Sequence, residues 1–162
     1  MEITLLVQLG VDMENLGWVI DMLVKFKRLD DMASIPKYAN PGDAGLDLVA
    51  ISKKFNSNTE TVEYDTGLAF EIPEGYVGFL APRSSICKTG LFLSNSIGIL
   101  DSGFRASVRA IFRISNPALP IYEVGDRVVQ LVIVPAIQAD LKEFGELSET
   151  KRGFGGFGST GK

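Results

Sequence analysis

Histidine is absent from this chain of 162 residues. That absence removes Ser-His-Asp triads, Cys-His nucleophile pairs, imidazole general bases and His-ligated zinc. Cysteine occurs once, as Cys87, so neither an intrachain disulfide nor a Cys-cluster metal site can form. A lone thiol fits a reducing compartment. Without an imidazole beside it, Cys87 is expected to be a packing residue rather than a nucleophile. If the chain is an enzyme, its base is Asp or Glu and its metal is hard and oxygen-bound.

Long apolar runs are missing too. No stretch approaches the roughly 20 residues that span a bilayer. Ile3 to Val11 is apolar, but Glu2 rather than a basic region precedes it, and no small-residue cleavage site follows, which argues against a signal peptide. Nor is there an excess of basic residues. The 16 Lys and Arg face 20 Asp and Glu, for a net charge of -4, so no broad basic surface awaits a nucleic-acid polymer. An anionic ligand would be held by local Arg and Lys, by backbone N–H groups or through a metal ion. The expected setting is soluble, cytoplasmic or otherwise intracellular, with no membrane partner.

What is present reads as one all-β domain. At Met22 a strand-like alternation begins, Leu23 to Leu29. Thr66 to Ile72 and Tyr76 to Ala81 read as strands joined by a Pro73-Glu74-Gly75 turn. From Ser107 to Ile114 the residues Val108, Ala110, Phe112 and Ile114 share one face, and Ser107, Arg109, Ile111 and Arg113 the other. Val128 to Ile137 is a nearly continuous β-branched run, as in a strand buried on both faces. Short strands at a spacing of roughly 8–12 residues point to a barrel or jelly roll. Residues 1–21 read as an N-terminal extension of unknown role, in which Asp12 to Asp21 could form a short helix that Gly17 weakens. Residues 22–150 form the barrel domain, and 151–162 a Gly-rich arm that is mobile until a ligand orders it.

Five segments carry polar chemistry. Pro41-Gly42-Asp43-Ala44-Gly45-Leu46-Asp47-Leu48 is a glycine turn into a strand; alone, it is a turn with two solvated acids. Ala81-Pro82-Arg83-Ser84-Ser85 places a guanidinium and two hydroxyls just past a strand, suited to phosphate oxygens or to a plain surface turn. Asn95 to Arg105 contains a short strand, Gly98-Ile99-Leu100, followed by the turn Asp101-Ser102-Gly103. A carboxylate there could face a pocket or simply close a hairpin. Gly125-Asp126-Arg127-Val128-Val129-Gln130 puts an amide, Gln130, inside an apolar strand, where it requires hydrogen-bond partners. Arg152-Gly153-Phe154-Gly155-Gly156-Phe157-Gly158-Ser159-Thr160-Gly161 cannot fold on itself. Its N–H groups and hydroxyls suit phosphates, and a Phe ring suits a base.

In this order and spacing the five segments resemble the five motifs of the trimeric dUTPases, over about residues 24–161. The resemblance implies a distorted jelly-roll β-barrel and a homotrimer whose active sites draw on more than one chain. It implies Mg-dependent hydrolysis of dUTP to dUMP and pyrophosphate by in-line attack of water on the α-phosphorus. Asp101 would activate the water. Arg83, Ser84, Ser85 and Gln130 would contact phosphates, and Asn95, Gly98 and Ile99 would read uracil largely through backbone groups. Arg152, Ser159 and Thr160 would clamp the γ-phosphate, and Phe157 would stack over the base. Asp47 would support Mg2+ indirectly, through water. Two positions depart from the family pattern: Phe104, which would pack against the deoxyribose, stands where Tyr is usual, and Ala106 where Gly is usual. The rivals are a dCTP deaminase-like enzyme and a non-catalytic nucleotide-sensing trimer. The first needs an acid on the strand after the third segment, which here reads Arg109-Ala110-Ile111-Phe112-Arg113.

Overall fold

A computed structural model describes residues 22–156 and Ser159. The helix expected between Asp12 and Asp21 lies outside the described residues. Among the described residues ten strands follow one another: β1 (Lys25–Arg28), β2 (Leu46–Val49), β3 (Ser52–Asn56), β4 (Thr61–Asp65), β5 (Leu68–Glu71), β6 (Tyr76–Pro82), β7 (Leu91–Leu93), β8 (Gly98–Leu100), β9 (Arg109–Ile114) and β10 (Arg127–Pro135). One 3-10 turn, Ser84–Lys88, interrupts them. No helix among the described residues is long and apolar enough to cross a membrane.

The strands form two four-stranded sheets, β2-β10-β6-β8 and β3-β4-β9-β7, plus the pair β1-β5. All pairings are antiparallel. This is the jelly-roll-like barrel the sequence implies. The core cluster takes Leu48, Leu80, Leu100, Val129 and Leu131 from the first sheet and Val62, Tyr64, Leu93, Ala110 and Phe112 from the second. Each fully buried Leu, Val or Phe contributes about 1.5–3 kcal/mol of hydrophobic stabilisation. The period-2 pattern sets which residues enter: along β9, Ala110 and Phe112 are buried while Arg109, Ile111 and Arg113 are exposed.

Strand ends differ from the sequence reading in instructive places. The run from Val128 stops as a strand at Pro135, which has no N–H for a further ladder bond. Ala136 N donates to Gly75 O at 2.8 Å, and Ile137 then points into solvent, 95% exposed. From there to Gly156 no strand or helix forms, and Leu141, Phe144, Leu147 and Phe154 are all exposed. The strand expected from Leu23 begins at Lys25, and that expected from Thr66 begins at Leu68. The Pro73–Tyr76 turn closes as expected, with Tyr76 N donating to Pro73 O at 3.2 Å and Gly75 at φ +80°.

Candidate active site

Three groups of polar residues emerge from this frame. The first lies where β2, β10 and β6 end together. Register places Asp47 opposite Gln130, and Gln130 opposite Ala81, so the carboxylate and the amide share one face beside the chain leaving β6. Arg83 follows β6 in an extended conformation, φ -79° and ψ 155°. Its Nε donates to Asp47 Oδ1 at 2.7 Å, and Arg127 Nη1 donates to Asp47 Oδ2 at 2.9 Å. Asp47 is therefore clasped by two guanidiniums, with its side chain only 12% exposed. Arg83 Nη1 also reaches Ser85 Oγ at 3.5 Å, and Ser85 Oγ lies 3.3 Å from the Tyr122 hydroxyl. Gly45 packs directly against Gln130: a Cβ there would stand 2.9 Å from its Oε1, so the amide would have to move.

Two neighbours of this group were not singled out from the sequence. Arg127 is three residues from Gln130, so simple alternation puts it on the opposite face. A β-bulge between Arg127 and Val129 restores it to the face of Asp47. Tyr122 precedes β10 in an irregular segment and carries no sequence signal. Cys87 is corrected: it is exposed rather than packed, because the 3-10 turn buries none of its residues, and its thiol donates to Ser84 O at 3.0 Å.

The second group surrounds β8 and the turn that follows it; the hairpin expected there does not form, because β8 pairs only with β6 while β7 and β9 lie in the other sheet. A cavity of about 350 Å³ is lined by Leu80, Asn95, Gly98, Ile99, Phe104 and neighbours that include Ser94 and Arg109. Ser96 takes a positive φ of 61° to turn the chain, and Ile97 N donates to Asn95 O at 2.6 Å. Gly98 allows the close approach of β8 to β6, since a Cβ there would meet Leu80 Cβ at 3.0 Å. Asp101 opens the next turn, closed by Phe104 N donating to Asp101 O at 3.0 Å, and it is exposed. The rings and chains of Ile99 and Phe104 are also open, at 57% and 41% exposure.

The third group is the arm. Arg152 Nε donates to Gly155 O at 2.9 Å, and Ser159 N to Gly156 O at 3.1 Å. Phe154 is fully exposed. Phe157 and Thr160 lie outside the described residues.

Within one chain the first two groups do not meet. Leu100 pairs with Gly78, so Asp101 falls level with Val77, at the opposite end of β6 from Arg83. Six residues of extended strand separate those levels by about 20 Å. A general base must lie within hydrogen-bond reach of the water it activates.

Residues 31–161 match the family model described as dUTPase. The chain belongs to the dUTPase family. Its curated relatives include the deoxyuridine 5'-triphosphate nucleotidohydrolase of Thermobifida fusca, 41% identical over 140 residues, which make up 85% of this chain and 78% of that one. The nucleotidohydrolase of the same name from Nautilia profundicola is 41% identical over 143 residues, 87% of this chain and 100% of its own. Among solved structures, a mutant of the Staphylococcus bacteriophage 80alpha dUTPase with dUpNHpp has a TM-score of 0.76 at 28% identity, covering 86% of this chain and 99% of that one. A mutant dUTPase from phage phi11 of S. aureus, solved for the coordination of a structural Mg(II) ion, has a TM-score of 0.66 at 26% identity and covers 76% and 97%. For a member of the dUTPase family, the separation of Asp101 from Arg83 is the geometric fact that a functional reading has to accommodate.

Proposed function

We propose that the chain hydrolyses dUTP to dUMP and pyrophosphate in active sites shared among three copies. The observation that carries this reading is the position of Asp101 in the turn just after β8, far from the Arg83 group of its own chain. A carboxylate 20 Å away, as the strand spacing gives it to about that figure, cannot act on a phosphate held by Arg83. The Asp101 turn of one copy set against the Arg83 group of another would bring base and phosphate together. The exposed apolar residues of the segment after Pro135, Ile137, Leu141 and Leu147, support the same reading, because they are left to be covered by a neighbouring copy.

The parts then have distinct tasks. β8 is the edge of its sheet, so one row of its backbone groups faces away from β6 and can pair with the edge of a uracil ring. Asn95, Gly98 and Ile99 supply that surface, and a base with mismatched donors would leave buried polar groups unpaired, at about 1–3 kcal/mol each. Phe104 packs its ring against the deoxyribose. Arg83, Ser84, Ser85 and Gln130 hold phosphate oxygens. Asp101 accepts the proton of the attacking water as it moves in line on the α-phosphorus. Arg152, Ser159 and Thr160 close on the γ-phosphate and Phe157 covers the base, which excludes bulk water from the site.

The donor set fits a metal that arrives with the substrate. Asp47 is the carboxylate beside Arg83, and among the described residues no group of three or more His, Cys, Asp or Glu side chains forms a cage. Mg2+ bound by the triphosphate would neutralise its charge, with Asp47 holding it through water by lone pairs that the two arginines leave unused.

Incubation with dUTP, dCTP and Mg2+, followed by product separation, tests the proposal. The expected result is dUMP and pyrophosphate from dUTP, with dCTP unchanged. Release of dUTP from dCTP would indicate a deaminase, and absence of turnover a sensor.

A further inference from the structure

We infer that Tyr122 is a positioning residue that sets Ser85 as a hydrogen-bond donor to phosphate. This inference rests on the reading that Ser85 contacts phosphate oxygens. The Tyr122 ring is buried, 7% exposed, and packs edge-on against Tyr64 and Phe112 with centroids 6.2 and 5.9 Å away. Those contacts fix where its hydroxyl sits. The hydroxyl emerges from the core 3.3 Å from Ser85 Oγ.

Counting protons gives the direction of that bond. Ser85 Oγ has one proton and two lone pairs. The guanidinium of Arg83, at a long 3.5 Å, can only donate, so it faces one lone pair. Either oxygen could donate across the 3.3 Å contact, but the phenol is the stronger acid and Ser85 Oγ is the acceptor that the structure places beside it, so the phenol proton is assigned to Ser85. With Arg83 and Tyr122 both donating, the acceptor capacity of Ser85 is filled and its proton is left for an oxygen outside the protein. An anionic phosphate oxygen is the acceptor that suits it. If Ser85 instead donated to Tyr122, it would present a lone pair to the phosphate and repel it.

Tyr122→Phe removes the hydroxyl and keeps the ring. It also leaves the bond from the Tyr64 hydroxyl intact, because that bond ends on the Tyr122 backbone carbonyl at 2.7 Å. Steady-state dUTP hydrolysis by the full chain with Mg2+ should be measured for Tyr122→Phe, Ser85→Ala and the double variant, with thermal unfolding alongside. Tyr122→Phe is expected to lower kcat/KM about three- to tenfold, mainly through KM. In the Ser85→Ala background the same change is expected to alter kcat/KM by less than about twofold. Three results would overturn the inference. An impaired Ser85→Ala with a wild-type Tyr122→Phe would leave the phosphate role of Ser85 standing and remove that of Tyr122. Equal losses in both backgrounds would make Tyr122 a packing residue only. A silent Ser85→Ala would remove the phosphate role of Ser85 and the inference with it.

Discussion

Replacing Asp47 with asparagine would disconnect Arg83 from its brace with little change of shape. The Asp47 carboxylate accepts from Arg83 Nε at 2.7 Å and from Arg127 Nη1 at 2.9 Å. Asparagine removes the negative charge and turns one acceptor into an N–H donor, which then faces a guanidinium. The Arg83 side chain is 23% exposed, so its charge-assisted bond is worth about 1.5–3 kcal/mol, part of which the remaining amide oxygen retains. Arg127 is 51% exposed, and solvent screening limits its contact to about 0.5 kcal/mol. The expected loss is about 2 kcal/mol, or about 6 °C in melting temperature for a chain of this size. Activity should fall further, at least about tenfold in kcat/KM, because Arg83 no longer points at a fixed place. Circular dichroism melting and steady-state dUTP hydrolysis measure the two effects. A melting temperature within about 1 °C of wild type together with unchanged kcat/KM would refute the reasoning. Full rescue of the variant by excess Mg2+ would assign Asp47 to the metal rather than to Arg83.

Asp101→Asn is expected to bind dUTP with near wild-type affinity and to lose at least about a hundredfold in kcat, since it removes the base and little of the pocket; isothermal titration and single-turnover hydrolysis measure both. Deleting Arg152 to Lys162 should leave the melting transition of the barrel in place while kcat/KM collapses, because the ten strands of the described residues end by Pro135; loss of the fold instead would assign the arm to stability. Burial raises the Tyr64 pKa well above the ordinary tyrosine value of about 10. A raised folded value means that this contribution to stability is complete below the unfolded pKa and is lost as pH rises toward the folded one. Melting temperature should therefore fall above about pH 10, with phenolate absorbance rising in step with unfolding, and less so in Tyr64→Phe.

The sequence carried the strands that follow local rules. The alternation in β9 predicts which side chains are buried, and the Pro73–Gly75 turn follows from residue type. Where β10 ends depends on a single missing N–H at Pro135, which a hydrophobic run does not display. Arg127 was hidden by the bulge, a one-residue irregularity that reverses the face predicted by counting. Cys87 looked like a packing residue because thiols are commonly buried, but a five-residue 3-10 turn offers it no interior. The placing of Tyr122 against Ser85 needs two segments 37 residues apart, and nothing local to either announces it. Likewise the residues of the five segments were legible, but the distance between Asp101 and Arg83 is set by the pairing of β8 with β6, which belongs to the fold.

Mixing two inactive variants tests the shared site most directly. Asp101→Asn lacks the base and keeps Arg83; Arg83→Gln lacks the phosphate ligand and keeps Asp101. If each site takes Asp101 from one copy and Arg83 from another, equimolar mixed trimers formed by co-refolding should recover about a quarter of wild-type turnover, the chance that both donors at a site are intact. Gel filtration would first establish that each variant assembles. Turnover no higher than the mean of the two parents, in trimers shown to contain both chains, would contradict a site built between copies.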